Sequence, residues 1–217
     1  MPSRLIVFDL DGTLVDSRRD LADSMNALLV SCGGAPLPEQ LIGRMVGNGA
    51  AILVARAFAA ASLTPPADAL ERFMTIYEQH LLDTTRPYDR IPEILQVLGT
   101  RAHLAVLTNK PLAATRAILA GLDLARYFAD DSVIGGDGPL PRKPDPAGLR
   151  QLIARAGATP ESTTLVGDSA VDWRTAQNAS TRLCVARYGF GFDGLTVDQL
   201  RQVDWIAESP DRLINFL

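Results

Sequence analysis

Two carboxylates one residue apart carry the densest chemical signal in the chain. Asp9 and Asp11 follow Leu5-Ile6-Val7-Phe8 and precede Gly12-Thr13. In an extended segment, residues at i and i+2 point the same way, so both acids face one spot beyond the end of a strand. Two like charges that close need a divalent cation, a shared proton, or both. Gly12 permits a sharp turn, and Thr13 offers a hydroxyl and a backbone N–H. Three further groups lie downstream: Thr108-Asn109-Lys110-Pro111, Arg142-Lys143-Pro144-Asp145-Pro146, and Gly167-Asp168-Ser169 with Asp172 four residues after Asp168. Hydroxyl, amide, ammonium and a metal held by carboxylates are the groups that hold a phosphoryl group. The prolines around Lys143 keep a helix from absorbing it. Lysine is scarce: of 21 Lys plus Arg, only Lys110 and Lys143 are lysine, which leaves 19 arginines. A compact ammonium and a planar fork are not interchangeable where one oxygen must be reached, so both lysines are candidates for chemistry.

These groups sit where an alternating α/β chain would place them. Leu5–Phe8 is continuously apolar, as a strand covered on both faces must be. Leu104–Leu107, Thr164–Val166 and Leu183–Ala186 repeat the pattern, and Trp205–Ala207 is a weaker case. Between them, Leu112, Thr115, Ile118, Leu119 and Leu122 have helical spacing, as do Leu149, Leu152, Ile153 and Ala156. The pattern predicts a doubly wound parallel, Rossmann-like sheet with ligands at the carboxyl ends of the strands. Residues 17–84 break the alternation. Four helical patterns appear there and no strand: Leu21 to Cys32, opened by a Ser17-x-x-Asp20 capping signature and closed by Gly33-Gly34; Leu41 to Val46; Ala50 to Ala61; and Leu70, Phe73, Met74, Tyr77 and Leu81. The expected organisation is a core of 1–16 and 85–217 with an all-helical cap, 17–84, inserted after the first strand.

Composition sets the outer bounds. The 217 residues are 47% hydrophobic and 21% charged, with a net charge of −4. That describes a folded chain and argues against bulk nucleic-acid or anionic-membrane binding, though not against an anionic substrate. No apolar run is long enough to span a membrane or serve as a signal core. Cys32 and Cys184, far apart, suit free thiols in a reducing cytoplasm. His80 and His103 match no motif and are expected at the surface.

Asp-x-Asp-Gly-Thr, Thr-Asn, Lys-Pro and Gly-Asp-Ser-x-x-Asp, in that order, resemble the four motifs of the haloacid dehalogenase-like hydrolase superfamily. Within it the chain is most similar to the phosphoglycolate phosphatase branch, through Asp9 to Ser17, Arg44 with Val46-Gly47-Asn48-Gly49, Pro87-Tyr88, Thr108 to Pro111, Tyr127-Phe128, Gly135-Gly136-Asp137 and Lys143-Pro144. The resemblance implies that Asp9 attacks phosphorus to form an aspartyl-phosphate. Asp11 then protonates the leaving alcohol and activates water. Mg²⁺ is held by Asp9, the Asp11 backbone carbonyl and Asp168. Gly12, Thr13, Thr108 and Asn109 bind phosphate. Lys143 neutralises charge, Asp172 orients it, and Ser169 supports. The substrate it implies is a small phosphorylated metabolite, 2-phosphoglycolate first. A broader sugar-phosphate phosphatase, a pyrophosphatase, a phosphomutase or an inactive phosphate-binding module are the alternatives. Asp11 argues against a dehalogenase, which has no leaving alcohol to protonate. The chain is expected to work in the cytoplasm as a monomer or homodimer, without nucleic-acid or membrane partners. Arg44, on the second cap helix, is either a partner for a substrate carboxylate or a surface arginine. The chain departs from the branch at Asp89-Arg90, where Pro-Gly is usual, and at Ala179-Ser180, where Ala-Gly is usual.

Overall fold

The structure is a computed structural model that describes residues 3–217. In chain order its elements are β1 (Ser3–Phe8), β2 (Val15–Asp16), α1 (Arg18–Ser31), α2 (Glu39–Gly43), α3 (Ala50–Ala60), α4 (Ala69–Gln79), β3 (Arg86–Pro87), α5 (Ile91–Leu98), β4 (His103–Leu107), α6 (Leu112–Gly121), β5 (Val133–Ile134), α7 (Ala147–Arg155), β6 (Ala158–Gly167), α8 (Ala170–Ala179), β7 (Arg182–Ala186), α9 (Val197–Leu200), β8 (Trp205–Ala207) and α10 (Leu213–Phe216). Six strands form one sheet in the order β5-β4-β1-β6-β7-β8, with every pairing parallel. The chain leaves β1 toward β4 and β5 on one side, then returns to β6, β7 and β8 on the other. The reversal lies at β1, and such a switch point opens a crevice at the strand's carboxyl end. Phe8 is level with Val106 of β4 and Val166 of β6, so Asp9, Thr108 and Asp168 emerge side by side.

The continuous apolar run of β1 is explained by its two faces. Ile6 and Phe8 pack with Ile91, Ile94, Leu95 and Ile118 on one side of the sheet. Leu5 and Val7 pack with Leu149, Leu152, Leu165 and Leu183 on the other. Neither face meets water, so the strand has no reason to alternate. The edge strand β5 is two residues long, too short to leave a readable pattern.

Helices α1–α4 have a hydrophobic core of their own, built around Met25, Leu28, Leu53, Phe58, Phe73 and Tyr77. On α4 the buried face is Ala69, Phe73 and Tyr77, whereas Leu70, expected inside, is exposed. The insert is joined to the sheet domain through an antiparallel two-stranded ribbon, Val15 against Pro87 and Asp16 against Arg86. Residue pairs this short have no periodicity, so no strand was expected there. The Ser17-x-x-Asp20 signature is not a cap. The Ser17 side chain makes no capping hydrogen bond. Its hydroxyl instead donates to Asp11 at 2.5 Å, and Asp20 accepts from the backbone N–H and hydroxyl groups of both Thr84 and Thr85. The long-range partners outbid the local one.

Both departures from the family pattern fall in left-handed backbone. Arg90 has φ 60° and Ser180 φ 58°, a region glycine enters without a Cβ penalty. Cys32 and Cys184 are free. His80 meets Asp83 at 2.7 Å on the surface, and His103 is exposed at the start of β4.

Candidate active site

Asp9 leaves β1 buried, with both of its short contacts on one oxygen. Oδ1 accepts from the Leu10 N–H at 2.7 Å and lies 2.9 Å from Lys143 Nζ. Lys143 Nζ also donates to Asp172 Oδ1 at 2.6 Å, and its side chain is 1% exposed. Asp172 is fixed in turn by a capping box at the start of α8. The Ser169 hydroxyl donates to Asp172 Oδ2 at 2.6 Å, and the Ser169 N–H donates to the same oxygen at 3.1 Å. Asp168 accepts from the Gly191 N–H at 2.8 Å.

Burial dominates the electrostatics. It pushes the Asp9 carboxyl up to about 7, with Lys143 only partly offsetting it. Burial, then Asp172 and Asp9, push Asp168 well above the ordinary carboxylate range. Burial also works against charge on Lys143, but Asp172 and Asp9 outweigh it and hold the ammonium above its usual value. The site therefore holds more buried carboxyl groups than one lysine can keep ionised. Carboxylate oxygens of Asp9, Asp168 and Asp172 lie within 4.8 Å of one another. An all-oxygen set of buried carboxylates fits a hard divalent cation. Asp172 already serves Lys143 and Ser169, which leaves Asp9 and Asp168 as the carboxylates best placed to hold a metal. The Asp11 side chain stands apart from this cluster.

Asp11 is held in a different way. Lys110 Nζ donates to both of its oxygens at 3.0 Å, and the Ser17 hydroxyl supplies a third contact. The Lys110 ammonium lies 4.6 Å from the ring centroid of Tyr77, which belongs to α4 of the insert. Sequence reasoning put Lys110 near the site but missed its pairing with Asp11. Lysine scarcity was the signal available. Tyr77 was read only as part of a helix face.

Other expected residues take different positions. The Gly12 N–H goes to the Val15 carbonyl and the Thr13 N–H to the Leu10 carbonyl, so the turn takes both N–H groups, while the buried Thr13 hydroxyl has no partner among the described residues. Gly12 is required for another reason. It has φ 82°, and a Cβ there would lie 1.9 Å from Asp168 Oδ2. The Asn109 carboxamide gives its N–H groups to the carbonyls of Gly47 and Lys143, each at 2.9 Å. It ties an insert loop to the Lys143 loop rather than presenting those donors to a ligand. Thr108 lines the cavity as expected. Arg44 does not join the group: it is exposed and pairs with Asp193 at 3.4 Å. It faces a separate cleft with Arg56, Ser169 and Phe190, because the Gly47–Gly49 loop, docked on Asn109, lies between. The segment Tyr188–Gly191, which no motif flagged, closes over Asp168. A Cβ on Gly189 would meet the Gly12 carbonyl at 2.1 Å, and the Tyr188 hydroxyl donates to the Thr13 carbonyl at 3.0 Å.

The resulting cavity, about 40 Å³, has Asp9, Asp11, Thr108, Asn109 and Lys110 at its base. Its roof is apolar, with Leu21, Val46, Leu53, Phe73 and Met74 from the insert. A buried carboxylate at a sheet switch point, paired with lysine and next to a second acid, places the candidate site of this α/β chain where open parallel sheets bind their ligands. A family model of the haloacid dehalogenase-like hydrolases matches residues 6–186, and the chain belongs to that family. It is 42% identical over 196 residues to the phosphoglycolate phosphatase of Rhodospirillum rubrum, covering 86% of this chain and 80% of that protein. It is 33% identical to the phosphoglycolate phosphatase of Haemophilus influenzae over 99% of this chain and 98% of that one. The crystal structure of a predicted phosphoglycolate phosphatase from Haemophilus somnus superposes with a TM-score of 0.89 at 30% identity, covering 98% of this chain and 97% of that one.

Proposed function

We propose that the chain is a Mg²⁺-dependent phosphatase of small phosphate monoesters, with 2-phosphoglycolate as its substrate. The observation that carries the reading is Asp9, buried at the switch point with Lys143 at 2.9 Å and Asp11 two residues on. Asp9, Asp168 and the Asp11 carbonyl are the groups to hold Mg²⁺. When bound, the ion offsets the repulsion between phosphate dianion and carboxylate and orients the ester. Lys143, held by Asp172, balances the charge of Asp9. An Asp9 oxygen attacks phosphorus and the bond to the leaving oxygen breaks, which gives an aspartyl-phosphate. Asp11 delivers a proton to the leaving oxygen, then takes one from the water that releases inorganic phosphate and restores Asp9. Thr108 faces the phosphoryl group from the β4 end. Helices α1–α4 act as a cap that excludes water, with the β2–β3 ribbon as its seam.

No helix among the described residues is long and apolar enough to cross a membrane. Two free cysteines suit a reducing compartment, in keeping with a cytoplasmic enzyme.

The test is phosphate release from a panel of phosphorylated metabolites, with Mg²⁺ and then with EDTA. Turnover should require metal, and Asp9→Asn should lower it by about a thousandfold or more while the fold survives. Full activity in EDTA, or in Asp9→Asn, overturns the reading.

A further inference from the structure

The phosphoryl chemistry above leaves two buried donor groups in the cavity without a task, beside one buried acceptor, Asn109 Oδ1. Lys110 is one: its side chain is 4% exposed, and it is the only cation among the residues that line the cavity. An ammonium has three N–H donors. Two of them go to the oxygens of Asp11, and the third faces Tyr77. Tyr77 is the other. Its hydroxyl is buried and lacks any hydrogen-bond partner among the described residues. A buried hydroxyl without a partner costs free energy that a ligand can return. The two belong to opposite halves of the molecule and meet at the Lys110–Tyr77 contact.

We infer that Lys110 and Tyr77 read the leaving group, and that together they select a phosphomonoester whose short leaving group ends in a carboxylate. The inference rests on the phosphatase reading and deepens it. Both groups offer donors, which suits a group that only accepts. Position agrees with chemistry. Asp11 meets the leaving oxygen, and Lys110 Nζ lies 3.0 Å from both Asp11 oxygens. A carboxylate carbon two bonds beyond the leaving oxygen therefore falls within reach of Nζ. The cavity walls argue against polyhydroxylated leaving groups. The hydroxyls of a sugar would face Leu21, Val46, Leu53, Phe73 and Met74, which offer no side-chain hydrogen-bonding partner. Unpaired on burial, those hydroxyls would weigh against sugar phosphates. Burial acts against charge on Lys110, yet Asp11 and Tyr77 outweigh it and keep the ammonium charged.

The experiment compares kcat/KM for 2-phosphoglycolate and ethyl phosphate, which has a leaving group of similar size but no charge. It uses the intact protein with Mg²⁺ and the variants Tyr77→Phe and Lys110→Met. The ratio of the two constants is the readout, since any disturbance of Asp11 in Lys110→Met affects both esters. The wild-type ratio should be about a hundred or more. Tyr77→Phe should lower it about tenfold, mainly through KM, and Lys110→Met should bring it to within a few-fold of one. A ratio unchanged in both variants overturns the inference. If the wild type hydrolyses both esters without preference, the inference fails and the phosphatase reading stands. Hydrolysis of neither ester, nor of any other in the panel, defeats both. Should Lys110→Met fail to fold, Tyr77→Phe, which removes one oxygen, decides the outcome alone.

Discussion

Asp9 is more comfortable as an acid than as a carboxylate until something positive joins it. Its folded pKa is raised from an ordinary carboxylate value to about 7, chiefly by burial. Such a group stabilises the fold fully below the unfolded pKa of about 4, and that contribution is lost as pH rises through 7. A metal that binds the ionised carboxylates reverses the loss. Thermal melts in EDTA should therefore show Tm falling between about pH 4 and 7 relative to the Mg²⁺-loaded protein, and the increment due to Mg²⁺ should grow with pH across that window. A Mg²⁺ increment that is flat or shrinking with pH would contradict the assignment of the ion to Asp9 and Asp168. At this scale the sequence was informative wherever a rare residue type met a motif. Lys143 and Lys110 are both buried in the site. What stayed hidden was the partner of each donor. Gly12 and Thr13 are in place but give their N–H groups to their own turn, and Asn109 gives its amide to carbonyls that lie close only once the chain is folded.

Asp20 shows the same at the scale of elements. It lies in the first turn of α1, and its partners, Thr84 and Thr85, precede β3 at the far end of the insert. The two chain segments that enter and leave the helical insert are thus stapled beside their seam. Burial acts against charge on Asp20, but the hydrogen bonds from Thr84 and Thr85 outweigh it and hold the carboxyl below its ordinary range. Asp20→Ala leaves those donors unpaired and should cost about 2–4 kcal/mol. Asp20→Asn, which keeps one acceptor oxygen, should cost less. Urea unfolding with an unchanged m-value measures both. A loss under about 0.5 kcal/mol for Asp20→Ala would show that the staple is idle. A sequence can suggest that an acid near a serine caps a helix, because capping is local. It cannot show a partner 64 residues away. The long apolar strands were legible as unbroken apolar runs, and the four helices of the insert through their helical periodicity. The ribbon β2–β3 and the edge strand β5 were not, being two residues each.

For the molecule as a whole, the insert is shut. The Gly47 carbonyl rests on Asn109, Tyr77 on Lys110, and the cavity beneath has room for little more than a few waters. On the cap reading proposed above, substrate enters and product leaves by separation of insert and sheet domain. Arg44 stands outside the closed cavity, where it is placed to affect this motion. Its guanidinium crosses from α2's end to Asp193 of the sheet domain at 3.4 Å, with both side chains more than half exposed. An exposed pair of this kind contributes about 0.2–1 kcal/mol. Breaking it shifts the balance between open and closed forms by that amount, whatever the leaving group is. Arg44→Ala should therefore change kcat/KM for 2-phosphoglycolate and for an uncharged aryl phosphate by the same factor, no more than about fivefold. The effect should shrink as salt is raised, since exposed charges are screened. A loss confined to 2-phosphoglycolate would return Arg44 to the substrate, and would mean that the insert closes further on a ligand than it does here.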